Sequence, residues 1–228
     1  ILSCLVGSEM CIRDRDENYH QLVLDTHIDF IKAGAEIIVT TTFATRQKRL
    51  KENNLLDKFE YLNQKAGEIA QAAKQKFPNT YIAGGIPPQN LTYEADDRGE
   101  VEITENFNSQ AKALNPYVDF FYFDVWSSVK EVKCGIEAIK EFKKPYLVGL
   151  HVSEGTTLPS GEKIKDLKKI IDENALGVLL SCVSPENFEK NLKELKSLNI
   201  PFGFKLNGFV TTKLRESYTS VFLGKKSN

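Results

Sequence analysis

Net charge is almost absent from this 228-residue chain, in which 30 Lys and Arg stand against 31 Asp and Glu. A nucleic-acid footprint or a polybasic membrane patch needs one sign to dominate a face, so both partner classes lose their basis. Long hydrophobic runs are missing too, and no stretch approaches the length of a membrane span. The four cysteines, Cys4, Cys11, Cys134 and Cys182, are scattered without paired spacing, which removes a disulfide framework and a self-contained zinc finger. No Gly-x-Gly-x-x-Gly follows the first strand and no P-loop occurs, so nucleotide-binding open sheets lose ground. What remains is an ordinary globular composition with enough apolar residues for one sizeable core, and a reducing, cytoplasmic setting fits it best.

The first fifteen residues do not read as native protein. Cys4 to Asp14 corresponds residue for residue to the conceptual translation of a transposase-type sequencing adapter. Residues 1–15 are therefore set aside as adapter-derived, and 16–228 are read as one truncated domain.

From there strand and helix patterns alternate. Leu22, Leu24, Ile28, Ile31 and Ala33 fall mostly at helical spacing, with His27 beside them as a packing histidine. Gly34 breaks that helix, and the β-branched run Glu36–Phe43 predicts a strand ending in Thr40, Thr41 and Thr42. The basic run Arg46–Lys51 reads as a solvated helix face, and a helix over 55–77 follows. A strand over 81–86 stops at Pro87-Pro88, and the polar segment 89–99 is a candidate mobile loop. Further helices are expected over 100–114, after the Ser127-Ser128 cap, over 162–173 and over 186–198. Further strands are expected over 119–125, 145–151, 176–180 and 201–206. Cys134 lies off the apolar stripe of its helix and reads as incidental, while Trp126 suits either a pocket wall or the core.

This alternation argues a parallel sheet with right-handed crossovers, which both an open doubly wound sheet and a (β/α)8 barrel satisfy. Thr41, Thr42, Asp124, His151, Cys182 and Asn207 recur at successive strand C-termini, and a barrel gathers such residues at one mouth. The expected fold is therefore α/β, a (β/α)8 TIM barrel. On position alone, Cys182 is either a buried small hydrophobe or a metal ligand or nucleophile. The threonines are either packed against backbone or turned to a ligand.

Several motifs then resemble one family, in order and spacing. His27–Phe43 is similar to a His-x-x-Tyr/Phe-x-x-Ala-Gly-Ala-Asp followed by a Thr/Asn-rich strand end, and Ala83–Pro88 to Ala-Gly-Ser-Ile-Gly-Pro. Phe123-Asp124-Val125, with Glu131 in the next helix, stands where that family has Phe-Glu-Thr and a later Glu. Glu154–Gly161 resembles Asp-Gly-x-x-Leu-x-x-Gly, Ser181–Glu186 resembles Asn-Cys-Thr-x-Pro-Glu, and Leu206-Asn207-Gly208 falls at Pro-Asn-Ser. The family is the homocysteine S-methyltransferases.

The resemblance implies a zinc-dependent transfer of a methyl group to homocysteine thiolate, giving methionine. It implies a barrel holding Zn²⁺ through three cysteine thiolates, one after the sixth strand and an adjacent pair after the eighth. A thiol of pKa about 8.5 is mostly protonated at neutral pH, and zinc deprotonates it outright. Cys182 matches the first ligand, while Asp124, Thr41, Thr42, His151 and Asn207 are the expected substrate-binding residues. The partners implied are homocysteine and a methyl donor. The family's opening Gly-rich strand and its Gly-Gly-Cys-Cys element have no counterpart here, so the chain is expected to lack the first and last strands and to be inactive as given. Two alternatives stand beside this reading: a non-catalytic ligand-binding barrel, and an unrelated barrel lyase using Asp124 and His151 as an acid–base pair.

Overall fold

In the computed structural model, residues 17–152 and 155–206 are described. Residues 1–15, Glu154 and Asn207 lie outside them. Six parallel strands run in the order β1 Ile37–Val39, β2 Tyr81–Ile86, β3 Phe120–Trp126, β4 Tyr146–Leu150, β5 Ala175–Val183 and β6 Phe202–Leu206. Each pairs only with its sequence neighbours, which is how consecutive βα units curl into a barrel wall. The sheet is a curled half-barrel with helices on its outer face.

The helices are α1 Glu17–Lys32, α2 Gln47–Glu52, α3 Phe59–Lys76, α4 Glu100–Leu114, α5 Val129–Ile139 and α6 Pro185–Ser197. Two start where the sequence places caps. Ser128 Oγ accepts from Glu131 N at the head of α5, and Ser184 Oγ accepts from Asn187 N at the head of α6, with Pro185 in the first turn.

The two faces of the sheet separate by alternation. Ile38, Ile82, Phe121, Phe123, Val148, Val178 and Leu180 face the helices in the main core. Val39, Ala83, Phe120, Tyr122, Leu147 and Leu179 fill the barrel interior. Two bulges interrupt this rhythm near the C-terminal ends of β3 and β5. Their extra residues, Val125 (φ 66°) and Cys182 (φ 57°), are left-handed, a conformation that costs an L-residue roughly 1–2 kcal/mol. Past each bulge the next side chain, Trp126 or Val183, joins the helix-side core.

The structure corrects several expectations. β1 covers only Ile37–Val39, because the Thr40 and Thr42 hydroxyls take over backbone bonding where the ladder would continue. The helix expected over 162–173 is a 3-10 turn at Ile164–Lys169. Leu22 is exposed, and α1 instead buries Val23, His27 and Ile28. Cys134 is 2% exposed, because α5 turns Glu131, Cys134, Gly135 and Ala138 inward rather than only its apolar stripe. Trp126 is core: it stacks between Phe107 and Phe123 and donates Nε1–H to the Ile86 carbonyl at 2.9 Å. A Cβ on Gly135 would overlap its ring, so only glycine fits beside it.

Candidate active site

Barrel strands deliver their last residues to one rim, and here that rim is polar above an apolar floor. Over the floor built by Val39, Phe120, Leu147 and Leu179 lies a layer containing Asp124, Gly149, His151, Ser181 and Lys205. Gly149 makes the layer possible. A Cβ there would stand 2.7 Å from the Phe123 carbonyl and 2.8 Å from both Ser181 Oγ and the Tyr122 ring.

Ser181 ties this layer together. Its hydroxyl pairs with Tyr122 OH at 2.9 Å, and its carbonyl accepts from His151 Nδ1 at 3.1 Å. That bond fixes the His151 tautomer, with the proton on Nδ1 and Nε2 as the acceptor nitrogen. The imidazole is fully buried, and Tyr93 covers it with ring centroids 4.5 Å apart. Burial pushes the His151 pKa down to about 4, so the ring is neutral at physiological pH. Cys182 follows Ser181 directly, half-buried in its left-handed bulge.

Asp124 is 7% exposed, and its Oδ1 receives the Lys205 ammonium at 2.5 Å. Burial, followed by the Asp124 charge, drives the Tyr122 phenol well above its ordinary range, so it stays protonated within this group. Lys205 Nζ also lies 5.7 Å from the Tyr122 ring centroid.

The threonines belong to a neighbouring network that holds the fold. Thr42 Oγ1 donates to the Gly85 carbonyl at 2.6 Å, and Thr40 Oγ1 accepts from Gly85 N at 3.0 Å. Gln110 joins the Thr42 carbonyl to Asn63, which in turn meets Thr45. Thr41 is only partly buried at the same strand end.

The segment 87–99 lies pinned across the rim. Arg98 pairs with Asp96 and Glu102, Lys48 reaches Asn90, and Arg46 reaches Thr92 while stacking over Phe43. Arg46 and Lys48 thus anchor this segment, which a purely solvated face would not do. Burial alone would raise the Asp96 carboxyl, but the Arg98 guanidinium overrides it and holds the group below its usual range. Behind the rim, Glu131 receives Ser128 Oγ and Ser127 N on Oε2, and burial raises its pKa to about 7.

The structure therefore brings His151, Ser181 and Cys182 into one group and Asp124, Lys205 and Tyr122 into another, joined through Ser181. It does not pair Asp124 with His151 as an acid–base couple, since the Asp124 carboxylate is engaged by Lys205. Lys205 and Tyr93 are additions to the sequence reading. Lys205 could have been found, because in Phe-Gly-Phe-Lys-Leu it shares Gly203's face, opposite the three apolar residues.

Comparison with known proteins places these features in a family. A model of the homocysteine S-methyltransferases matches residues 5–221. Homocysteine S-methyltransferase 2 of Saccharomyces cerevisiae is 27% identical over 210 residues, covering 84% of this chain and 64% of the yeast protein. S-methylmethionine–homocysteine S-methyltransferase BHMT2 of Pongo abelii is 28% identical over 133 residues, covering 58% of this chain and 34% of that protein. The chain thus spans about two thirds of one curated relative and a third of the other. In fold it is similar to the metallated homocysteine methyltransferase MmuM of Escherichia coli, with a TM-score of 0.74 at 14% identity over 91% of this chain and 87% of that one. With the match running over nearly the whole sequence, and a parallel barrel wall that ends in a polar rim, the chain belongs to the homocysteine S-methyltransferase family.

Proposed function

We propose that this protein contributes the substrate rim of a zinc-dependent homocysteine S-methyltransferase, with Cys182 as one metal ligand. The observation that carries the reading is the placement of Cys182. A thiol stands on a strained bulge at the strand end, beside the joined Ser181, His151, Tyr122, Asp124 and Lys205 groups. Val125 shares this left-handed backbone as a buried packing residue, so the reading rests on the thiol's place at the strand end beside those groups rather than on the bulge alone.

Zinc needs more donors than these. Among the described residues no three His, Cys, Asp or Glu side chains come together as a metal site. Cys134 is buried on the helix side, in α5. The described residues by themselves therefore do not fit the ion. With Cys182 the sole thiol at the rim among the described residues, these residues on their own are proposed to hold zinc weakly and to lack turnover.

What the chain's own residues supply is orientation and a dry, neutral setting. Asp124, Thr41 and Asn207 are proposed to contact the substrate, Asp124 by receiving its ammonium. His151, neutral through burial, adds no positive charge that would repel an onium methyl donor. Tyr93 shields the imidazole from water. In the reaction the homocysteine thiolate forms the new S–C bond while the donor's own bond to methyl breaks; that bond's electron pair stays on the donor's onium atom, which loses its positive charge as the thiolate loses its negative one.

The test combines sequence and chemistry. Reading the gene beyond codon 228 is expected to reveal an adjacent cysteine pair. The protein that includes it should bind one zinc and form methionine from homocysteine with S-methylmethionine or betaine as donor. Cys182→Ala should abolish both. An intact downstream frame without the cysteines would favour the non-catalytic ligand-binding barrel, and activity indifferent to Cys182→Ala would overturn the zinc reading.

A further inference from the structure

Lys205 stands where the barrel alternation would accept an apolar residue. It shares the interior with Val39, Leu147 and Leu179, yet carries an ammonium and is 8% exposed. Its partner lies across the rim rather than on a neighbouring strand: Lys205 belongs to β6 and Asp124 to β3, with β4 and β5 between them. Lys205 is also in register with Ser181, one residue from Cys182.

Stability is a poor explanation for such a pair. Desolvating two charges commonly cancels their attraction, and apolar residues of similar volume often serve a core as well or better. Recognition explains it better. An α-amino acid presents an ammonium and a carboxylate on one carbon, and an Asp facing a Lys is its charge mirror. Both charges are already desolvated at the rim, so an arriving zwitterion exchanges one internal ion pair for two external ones without changing net charge. That preorganisation lowers the cost of binding.

We propose that Lys205 binds the α-carboxylate of the amino-acid substrate and sets specificity for the zwitterion over the corresponding amine. The proposal rests on the homocysteine reading above and gives that same site its second charged contact. Asp124 keeps the ammonium while Lys205 turns from Asp124 to the carboxylate. No covalent step is involved.

The experiment is calorimetric binding to the full chain, using L-methionine as a probe that needs no metal–thiolate bond. Methylthiopropylamine, which lacks the carboxylate, and methylthiobutanoate, which lacks the amine, serve as comparisons. K205M is expected to weaken L-methionine binding by roughly 10- to 100-fold, the loss of a charge-assisted hydrogen bond, while methylthiopropylamine binds as before or more tightly. K205R should restore most of the L-methionine affinity. Because K205M leaves Asp124 buried without its ammonium, the neutral pair D124N/K205M provides a second test. It should fold and bind all three compounds equally weakly. Equal loss for L-methionine and the amine in K205M, or L-methionine binding unchanged in both variants, would overturn the role of Lys205 alone. Wild-type protein that binds the two truncated compounds as well as L-methionine, or binds none of the three, would overturn the amino-acid reading together with it.

Discussion

His151 holds the carbonyl of Ser181, the residue immediately before Cys182, through an Nδ1–H···O bond of 3.1 Å. The peptide that carries the left-handed cysteine is thereby fixed from the neighbouring strand. A side chain just past the end of β4 steadies a β5 bulge, and the position of the thiol depends on both.

Cutting that link should cost stability. His151→Ala leaves a buried carbonyl without its donor and opens a space beneath Tyr93. The expected loss is about 2–4 kcal/mol, combining an unmade hydrogen bond with a cavity. Urea denaturation of the variant checks it, and an unchanged midpoint at unchanged slope would show that the bulge holds itself.

Acid should destabilise the protein through its buried histidines. His27 and His151 are both pushed down to about 4 by burial, against 6.5 in an unfolded chain. Between those values the unfolded state binds more protons, so their contribution is full above pH 6.5 and is lost as pH falls toward 4. Glu131 acts in the opposite sense: raised to about 7, its contribution is present below 4.5 and lost as pH rises through 7. Two groups outweigh one, so stability should fall from pH 6.5 to 4.5 and more steeply below that. The Nε2 of His27 is buried without a hydrogen-bond partner, which makes it the group to replace. His27→Phe should flatten the acid limb, its advantage over wild type growing between pH 6.5 and 4 in thermal melts. A constant difference across that range would count against the account.

The bulge at Cys182 makes a separate prediction about backbone strain. At φ 57° glycine carries no Cβ penalty and alanine carries all of it. Cys182→Gly should therefore be more stable than Cys182→Ala by about 1 kcal/mol, the reverse of their order at ordinary strand positions. Chemical denaturation of the two variants side by side decides it, and alanine equal to glycine would mean that the strand relaxes.

Much of this arrangement is legible in the sequence where local chemistry is decisive. Tyr81–Ile86 and Glu100–Leu114 match their expected bounds, because Pro87-Pro88 ends the strand and Gly99 precedes the helix. Ser128 and Ser184 cap the helices that their position announces. Contacts between distant residues are a different matter. Nothing near Thr40 or Thr42 tells that their hydroxyls meet Gly85, which shortens β1 to three residues. Cys134 escapes its apolar stripe because α5 buries a glutamate and a glycine on the same face. Lys205 hides among apolar residues, and its meaning appears only when β6 curls round to face β3.

The two bulges carry a longer consequence. On β3 the inserted Val125 separates Asp124, which faces the rim, from Trp126, which anchors the helix layer. On β5 the inserted Cys182 separates Ser181 from Val183 in the same way. A single strand end thus carries two duties on residues two apart that a regular pleat would hold to one face. Drift in the residues that choose a substrate need not disturb those that keep the barrel shut, so the reaction of such a wall is open to revision while its architecture is inherited intact.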